Sequence, residues 1–229
     1  QDQVGGGGGS AQRGQSKATF YSNDHTCLSK NRAREIAYVL PFHWAGFQLQ
    51  TRYTYVLDDL HDLDKVKATA ASGVRNSIRK SKEIVTLKEC EEIDVMYRMF
   101  EKTFARQNQK PPYSLELLKR VDAACKQHDC RKLMVAKDAA GNVHAAVYLV
   151  WDDEFVYYLN GGGDPEFRSS NAFTLLMWEA IKYTASINRK FDFEGSMKES
   201  IEYFFRSFGA QPVPCLLYTS PSPRDEKVS

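Results

Sequence analysis

The chain has 229 residues, of which 42% are hydrophobic and 12% aromatic, enough for one cored domain and part of another. The formal net charge of +2, from 31 basic and 29 acidic residues, identifies no nucleic-acid or membrane partner. No run of 18 apolar residues is present, and the first thirty residues lack a signal-peptide core, so we expect no membrane insertion. The five cysteines form no C-x-x-C pair, which favours reduced thiols and a cytoplasmic protein.

The two ends of the chain differ from its middle. Residues 1–30 contain the glycine run Gly5–Gly9 and almost no apolar periodicity, which predicts a disordered leader. Residues 215–225 read CLLYTSPSPRD, which resembles a translated transposon adapter from a sequencing library. A natural Pro/Ser-rich tail is the alternative. We therefore expect residues 215–229 to be non-native and the chain to be a fragment of a longer protein.

Taken in chain order, the first half predicts two strands and then helices. Residues 35–42 and 47–57 are typical of strands and are interpreted as the end of a preceding domain. A helical stretch follows, with Gly73 expected to break or bend it; its apolar positions are Leu63, Val66, Val74 and Ile78. Next come a strand at residues 84–87, a helix from Ile93, and a second helix that Ser114 caps after two prolines.

The second half predicts a sheet with one crossover. Three strands, at residues 132–136, 143–151 and 155–159, are joined by short links that indicate an antiparallel meander. A long helix after Gly161–Gly163 then leads to a strand at 191–193, which indicates a parallel connection. A helix at 200–208, ended by Gly209, precedes a last strand from Gln211.

This order of elements is that of the GNAT acyltransferase fold, an α/β (α+β) class with a mixed, mostly antiparallel sheet flanked by helices. The segment PEFRSSNA at residues 165–172, followed by Leu175 and Leu176, resembles the GNAT acyl-CoA motif. The runs YYLNGGGDPEFRSSNAFTLLMWEAIK and FDFEGSMKESIEYFFRSFG resemble the FemAB and BioF2-like acyltransferases, in which two GNAT domains occur in tandem. The basic segment VRNSIRKSK is similar to the helix that precedes the second domain in that family.

The resemblance implies a division of the chain. We expect a leader at 1–30, the last strands of a preceding GNAT domain at 31–60, a basic linker helix at 61–83, a GNAT-like domain at 84–214 and the adapter-like tail at 215–229.

The resemblance also implies an activity, the transfer of an acyl group to an amine. The donor is acyl-CoA, such as acetyl-CoA, or the aminoacyl-tRNA that the FemAB branch uses to extend a peptidoglycan precursor. The acceptor is then a small-molecule or cell-wall-precursor amine. In this chain Ser169, Asn171 and Phe173 occupy the motif's glycine positions, which also fits a non-catalytic ligand-binding domain.

The fold places the acyl-transfer cleft where the fourth and fifth GNAT strands diverge, here between residues 157–160 and 191–194. Glu194 and Tyr203 are the catalytic candidates, as base and acid. The alternatives for Glu194 are binding of the acceptor amine and a surface carboxylate that caps the next helix. Tyr158 and Asn160 are expected to alternate onto one strand face, although strand aromatics more often pack in a core. The candidates for donor binding are Tyr158, Asn160, Gly162, Gly163, Arg168, Ser169, Ser170 and Asn171.

Cationic side chains form a further candidate surface. Arg75, Arg79, Lys80 and Lys82 could contact tRNA or a nucleotide-linked acceptor. Arg206 is a further candidate for binding the acceptor or a nucleic acid, and it lies near the cleft with Lys198. A solvated helix face is the alternative. The five histidines show no ligand spacing, so no metal is expected.

Overall fold

The computed structural model describes residues 40–44 and 48–219. Its helices are α1 (Leu40–Trp44), α2 (Leu63–Thr69), α3 (Ser72–Ser81), α4 (Ile93–Ala105), α5 (Leu115–Gln127), α6 (Ala172–Ser186) and α7 (Glu199–Arg206), with a 3-10 helix at Pro165–Ser170. Its strands are β1 (Gln48–Leu57), β2 (Thr86–Glu89), β3 (Arg131–Lys137), β4 (Val143–Trp151), β5 (Phe155–Gly163), β6 (Lys190–Gly195) and β7 (Gln211–Thr219).

The strands form one sheet in the order β2-β3-β4-β5-β6-β1-β7. All neighbours are antiparallel except β5 and β6, which are parallel and joined through α6. The antiparallel meander and the parallel crossover predicted from the sequence are both confirmed. The fold class is the predicted one, a mixed, mostly antiparallel sheet flanked by helices.

Each face of the sheet buries its own core. On one face, α3, α6 and α7 pack on the sheet around side chains such as Ile78, Leu176 and Phe208. On the other face, α4 and α5 cover Leu133, Ala146 and Tyr148. The helices supply these cores because their apolar residues recur at helical spacing, whereas the central strands are buried on both faces.

Two local capping signals are confirmed. The Ser114 hydroxyl accepts a hydrogen bond from the Leu117 N–H at 3.3 Å and so begins α5. Gly209 lies at φ +91°, a conformation that favours glycine, and its N–H donates to the Arg206 carbonyl at 2.8 Å after α7 ends.

Two local predictions are wrong. Residues 40–42 belong to helix α1 and not to a strand; Pro41 suits the first turn of a helix, where its missing N–H is not needed. Residues 35–39 lie outside the described part of the chain. The predicted break at Gly73 occurs instead at Ala70 and Ala71, whose backbones are extended, and Gly73 lies within α3.

The ends of the described chain meet in one sheet. Strand β1 lies between β6 and β7, and β7 continues beyond Pro214, with Cys215 paired to Arg52. Residues 215–219, which the sequence assigns to an adapter-like tail, therefore extend this strand. The division of the chain into domains and the non-native origin of the tail stay predictions, and residues 1–39 and 220–229 lie outside the described part.

Candidate functional site

Strands β5 and β6 diverge at the position where the sequence analysis expects the acyl-transfer cleft. The two strands pair at Phe155 with Lys190, Val156 with Phe191 and Tyr157 with Asp192, where the pairing ends. Beyond that point β6 continues along β1, with Gly195 opposite Thr54, while β5 follows β4 to Gly163. We call this divergence the splay.

A β-bulge in β5 determines which side chains border the splay. Tyr148 pairs with Asn160 and the next residue, Leu149, pairs with Tyr158, so Leu159 is an extra residue. Tyr158 therefore lies on the α6 and α7 side of the sheet, and Asn160 on the α4 and α5 side. The prediction that these two side chains share a face is wrong, because the bulge reverses the alternation.

Tyr158 packs among aromatic rings at the splay. Its ring centroid is 6.0 Å from that of Phe173 in α6 and 6.3 Å from that of Phe205 in α7, both edge-to-face. Its hydroxyl turns toward the strand, since an ideal Cβ built on Gly161 would lie 2.9 Å from it. Burial raises the pKa of Tyr158, so the phenol stays protonated.

Asn160 reaches the opposite face and meets a residue that the sequence analysis missed. Its Nδ2 donates to the Tyr113 hydroxyl, and its Oδ1 accepts from the Gly161 N–H at 2.7 Å. Burial raises the pKa of Tyr113 to about 12, although the bond from Asn160 works against this rise. No local signal marks Tyr113, because it lies between a Pro-Pro pair and a cap and contacts a strand 47 residues away.

Glu194, the residue before the last in β6, has a strained conformation. Its φ is +65°, in the left-handed region that non-glycine residues seldom adopt, and its side chain is half-buried. The fully buried Asp192 carboxylate holds this turn, accepting the Glu194 N–H at 2.8 Å and the Thr54 hydroxyl. Strain of this kind persists only where the surroundings fix it, and it clusters at functional sites.

The loop between β5 and α6 is anchored at both ends. The Phe167 ring stacks on His144 with centroids 4.1 Å apart and 4° between the planes. Lys102 forms an ion pair with the buried Asp164 carboxylate, whose oxygen also accepts the Glu166 N–H at 3.1 Å. Burial alone raises the pKa of Asp164, but these donors outweigh it and hold the pKa below its ordinary value. The loop therefore has a fixed conformation.

This loop tests whether the chain fits the phosphates of a CoA donor. The Ala172 N–H donates to the Ser170 hydroxyl at 3.3 Å, and the Thr174 and Leu175 N–H groups donate to the Asn171 carbonyl. Two of the N–H groups that begin α6, those of Ala172 and Thr174, are thus engaged within the loop, whereas such groups face the ligand in an open anion site. Arg168 is exposed and available to a phosphate. In this loop the CoA phosphates would therefore be bound by side chains such as Arg168, and not by the backbone of a glycine-rich loop.

The remaining donor-binding candidates differ in accessibility. Ser169 is exposed, Ser170 is buried and used as a cap, and Asn171 is at φ +54°. Two glycines end β5. Gly162 faces α4, since an ideal Cβ on it would lie 2.5 Å from Thr103 Oγ1, and it therefore allows the helix to approach the strand, which is a packing role. The Gly163 N–H donates to Thr103 Oγ1 at 3.2 Å, but a Cβ on Gly163 would meet only the His144 carbonyl of β4 and the Ala145 side chain at ordinary distances.

The candidates on α7 lie toward solvent. Tyr203 is 74% exposed, and Arg206 forms an ion pair with Glu202 at 3.1 Å, one turn earlier. Lys198, at the start of the helix, donates to the Gln107 side chain at 3.0 Å. The structure therefore places none of these three in the interior of the splay.

A surface groove of about 460 Å³ is lined by Arg75 and Arg79 of α3, by Lys82 just after it and by Lys67 of α2. Arg75 donates to the Ala68 carbonyl at 3.1 Å and to the Ala70 carbonyl, and so caps the end of α2. Arg79 contacts the Asn76 side chain at 3.0 Å, while Lys80 and Lys82 are exposed. Because Arg75 is engaged at the end of α2, Arg79 and Lys82 are better placed to bind a polyanion in the groove.

Two further properties concern the described residues alone. Within residues 40–44 and 48–219, His, Cys, Asp and Glu side chains form no group of three or more that could hold a metal ion. Over the same residues, none of the helices combines the length and apolarity that crossing a membrane requires.

Comparison with known proteins agrees with this fold. The family model described as "Acetyltransferase (GNAT) domain" matches residues 68–199, more than half of the chain. The chain belongs to this GNAT family. A comparison with curated protein sequences returns no significant match. Membership of the GNAT family makes acyl transfer the general class of chemistry for this domain.

Solved structures show the same fold at low sequence identity. FemX superposes with a TM-score of 0.66 at 12% identity, over 73% of this chain and 61% of that chain. The C-terminal domain of a putative lysylphosphatidylglycerol synthetase from Agrobacterium fabrum gives 0.59 at 12% identity, over 82% and 67%. L-PGS from Bacillus licheniformis gives 0.52 at 10% identity, over 82% and 66%. The chain thus spans less than two thirds of the FemX length, and the predicted FemAB-like GNAT fold is confirmed.

Proposed function

We propose that this chain is the acyl-transfer domain of a cytoplasmic N-acyltransferase of FemAB type. It moves an acyl or aminoacyl group from acyl-CoA or aminoacyl-tRNA to an amine on a small molecule or a cell-wall precursor. The observation that carries the proposal is the splay between β5 and β6, bordered by Tyr158, Asn160 and Glu194.

The chemistry assigns a role to each part of the splay. The acyl carbonyl lies along the diverging part of β5, and the amine approaches from the β6 side. Glu194 accepts the proton that the amine loses as its nitrogen bonds to the acyl carbon. Bringing the two reactants together in one cleft supplies much of the rate enhancement of such reactions.

Donor binding gives the first test, by isothermal titration of acetyl-CoA and longer acyl-CoA thioesters into the full chain. Arg168→Ala is expected to weaken binding about tenfold, because an exposed guanidinium that meets a phosphate contributes roughly 1.5 kcal/mol or more. Arg120→Ala, an exposed arginine on α5, is the matched control and should bind like the wild type. Equal affinities for both variants would remove Arg168 from the donor site.

The basic groove gives a second test, for a tRNA donor. Replacing Arg79 and Lys82 by glutamine should weaken tRNA binding at low salt and reduce the slope of log K against log salt by about 1 to 2. Lys119→Gln with Arg120→Gln, on the opposite side of the sheet, is the charge-matched control. If both double variants lose the same affinity, the attraction is a general charge effect and the groove is not a tRNA site.

A non-catalytic ligand-binding domain is the second candidate, favoured by the satisfied N–H groups at the start of α6. Transfer assays separate the two. Radiolabelled acyl-CoA thioesters and charged tRNAs would be incubated with amino acids, amino sugars and peptidoglycan-precursor peptides. Ligand binding without any labelled product would favour the binding domain over the transferase.

A further inference from the structure

The hydrogen bonds of Asn160 fix the orientation of its amide. The Gly161 N–H can only donate, and it lies 2.7 Å from the atom that accepts it, so that atom must be Oδ1. The other amide atom is then Nδ2, which donates to the Tyr113 hydroxyl oxygen. Because that oxygen already accepts from Asn160, the phenolic proton of Tyr113 is directed elsewhere.

The Tyr113 ring is held in place from two directions. It stacks on the buried Phe100 of α4, with centroids 5.2 Å apart and 20° between the planes. The Tyr97 hydroxyl donates to the Tyr113 carbonyl at 3.1 Å. A donor held this firmly requires little reorganisation when negative charge develops beside it.

The Tyr113 hydroxyl meets the strand where β5 has left β6. Asn160 and Gly161 are in this diverging part, and Tyr113 and Tyr158 approach it from opposite faces of the sheet. The Gly161 N–H, a backbone donor of this segment, is already engaged by Asn160. A side-chain hydroxyl with a free proton is therefore a better donor than this N–H to a carbonyl oxygen placed here.

We propose that Tyr113 is a catalytic residue that donates a hydrogen bond to the acyl carbonyl oxygen of the donor, and that Asn160 is its positioning residue. This inference rests on the proposed function. In the first stage the amine nitrogen bonds to the acyl carbon, and the π electron pair of the carbonyl moves onto its oxygen, which the Tyr113 hydroxyl hydrogen-bonds. In the second stage this pair re-forms the carbonyl as the bond to the leaving sulfur or oxygen breaks. The amine nitrogen loses one proton, and the leaving group takes up one.

Two measurements on Tyr113→Phe test the role. With whichever donor and acceptor give transfer, kcat should fall about 100-fold while KM changes little, as for loss of one oxyanion donor. With acetyl-CoA labelled by ¹³C at the carbonyl, isotope-edited infrared spectra of the complex should show the carbonyl band at lower wavenumber in the wild type than in the variant. Tyr183→Phe, a half-buried phenol packed on Trp151, is the matched control.

A second variant at position 113 keeps the phenol ring and its hydroxyl, so that a change in kcat cannot be due to a folding defect. A trifluorinated tyrosine at position 113 has a far more acidic phenol than tyrosine, whose pKa burial raises here to about 12. Because only the protonated phenol donates, kcat of this variant should fall as pH rises through the lowered pKa, whereas the wild type keeps its kcat over that range. A role in packing alone would leave the two pH profiles alike.

The outcomes separate this inference from the proposed function. If the wild type transfers the acyl group but Tyr113→Phe has an unchanged kcat or an unshifted carbonyl band, the role of Tyr113 is overturned and the proposed function stands. Absence of any transfer or donor binding by the wild type overturns the proposed function and this role with it. For Asn160, kcat should fall in Asn160→Ala but not fall further when Tyr113→Phe is already present, because Asn160 acts through the phenol. Additive losses would overturn its positioning role.

Discussion

Glu194→Gln is expected to lower kcat about 100-fold or more, because the amide can no longer accept the proton that the attacking amine loses. The side chain is half-buried at the end of β6, and glutamine keeps its size and hydrogen-bonding reach. Steady-state transfer assays measure the effect. Glu199→Gln, an exposed carboxylate at the first residue of α7, is the matched control and should retain the wild-type kcat.

A second substitution at the same position separates chemistry from stability. Glu194→Gly should raise the free energy of unfolding by about 1 kcal/mol, since glycine adopts φ +65° without steric cost, yet it should lose as much activity as the glutamine variant. Urea denaturation measures the first quantity. A glycine variant that is both stable and active would show that the strain at Glu194 has no part in transfer, and full activity in Glu194→Gln would rule out the residue as base.

Gly162→Ala is expected to destabilise the fold by about 3 kcal/mol, the largest stability effect that we predict for a single added methyl group. The new Cβ would lie 2.5 Å from Thr103 Oγ1 and would also meet the Met99 carbonyl, which is backbone and cannot turn aside. Helix α4 would have to move away from β5. The displacement would also carry Phe100, against which Tyr113 stacks, away from the splay.

The adjacent glycine provides the control for this prediction. A Cβ on Gly163 would lie 3.6 Å from the His144 carbonyl, an ordinary contact, so Gly163→Ala should stay within about 1 kcal/mol of the wild type. Equilibrium denaturation of both variants compares them directly. Equal stabilities for the two would mean that α4 and β5 are not in the close contact described above.

The sequence by itself determined the elements whose signals are local. The apolar spacing after Ile93, the Ser114 cap and the Gly209 turn specify helices and their ends within a few residues. The short links of the meander and the long helix before β6 specify antiparallel and parallel neighbours, because only a long connection can return the chain to a parallel strand. The place where β5 and β6 diverge was predicted from the resemblance to the GNAT fold, since no single local signal marks it.

Only the tertiary structure decided which side chains border the splay. The bulge at Leu159 places the side chains of Tyr158 and Asn160 on opposite faces of the sheet. Strict alternation along the strand predicts one face for both, because it does not include the inserted residue. The pairs Tyr113 with Asn160 and Thr54 with Asp192 join residues 47 and 138 positions apart, so nothing local in the sequence reports them. Likewise, Glu194 adopts a left-handed conformation because Asp192 holds its N–H, a conformation that the propensity of glutamate disfavours.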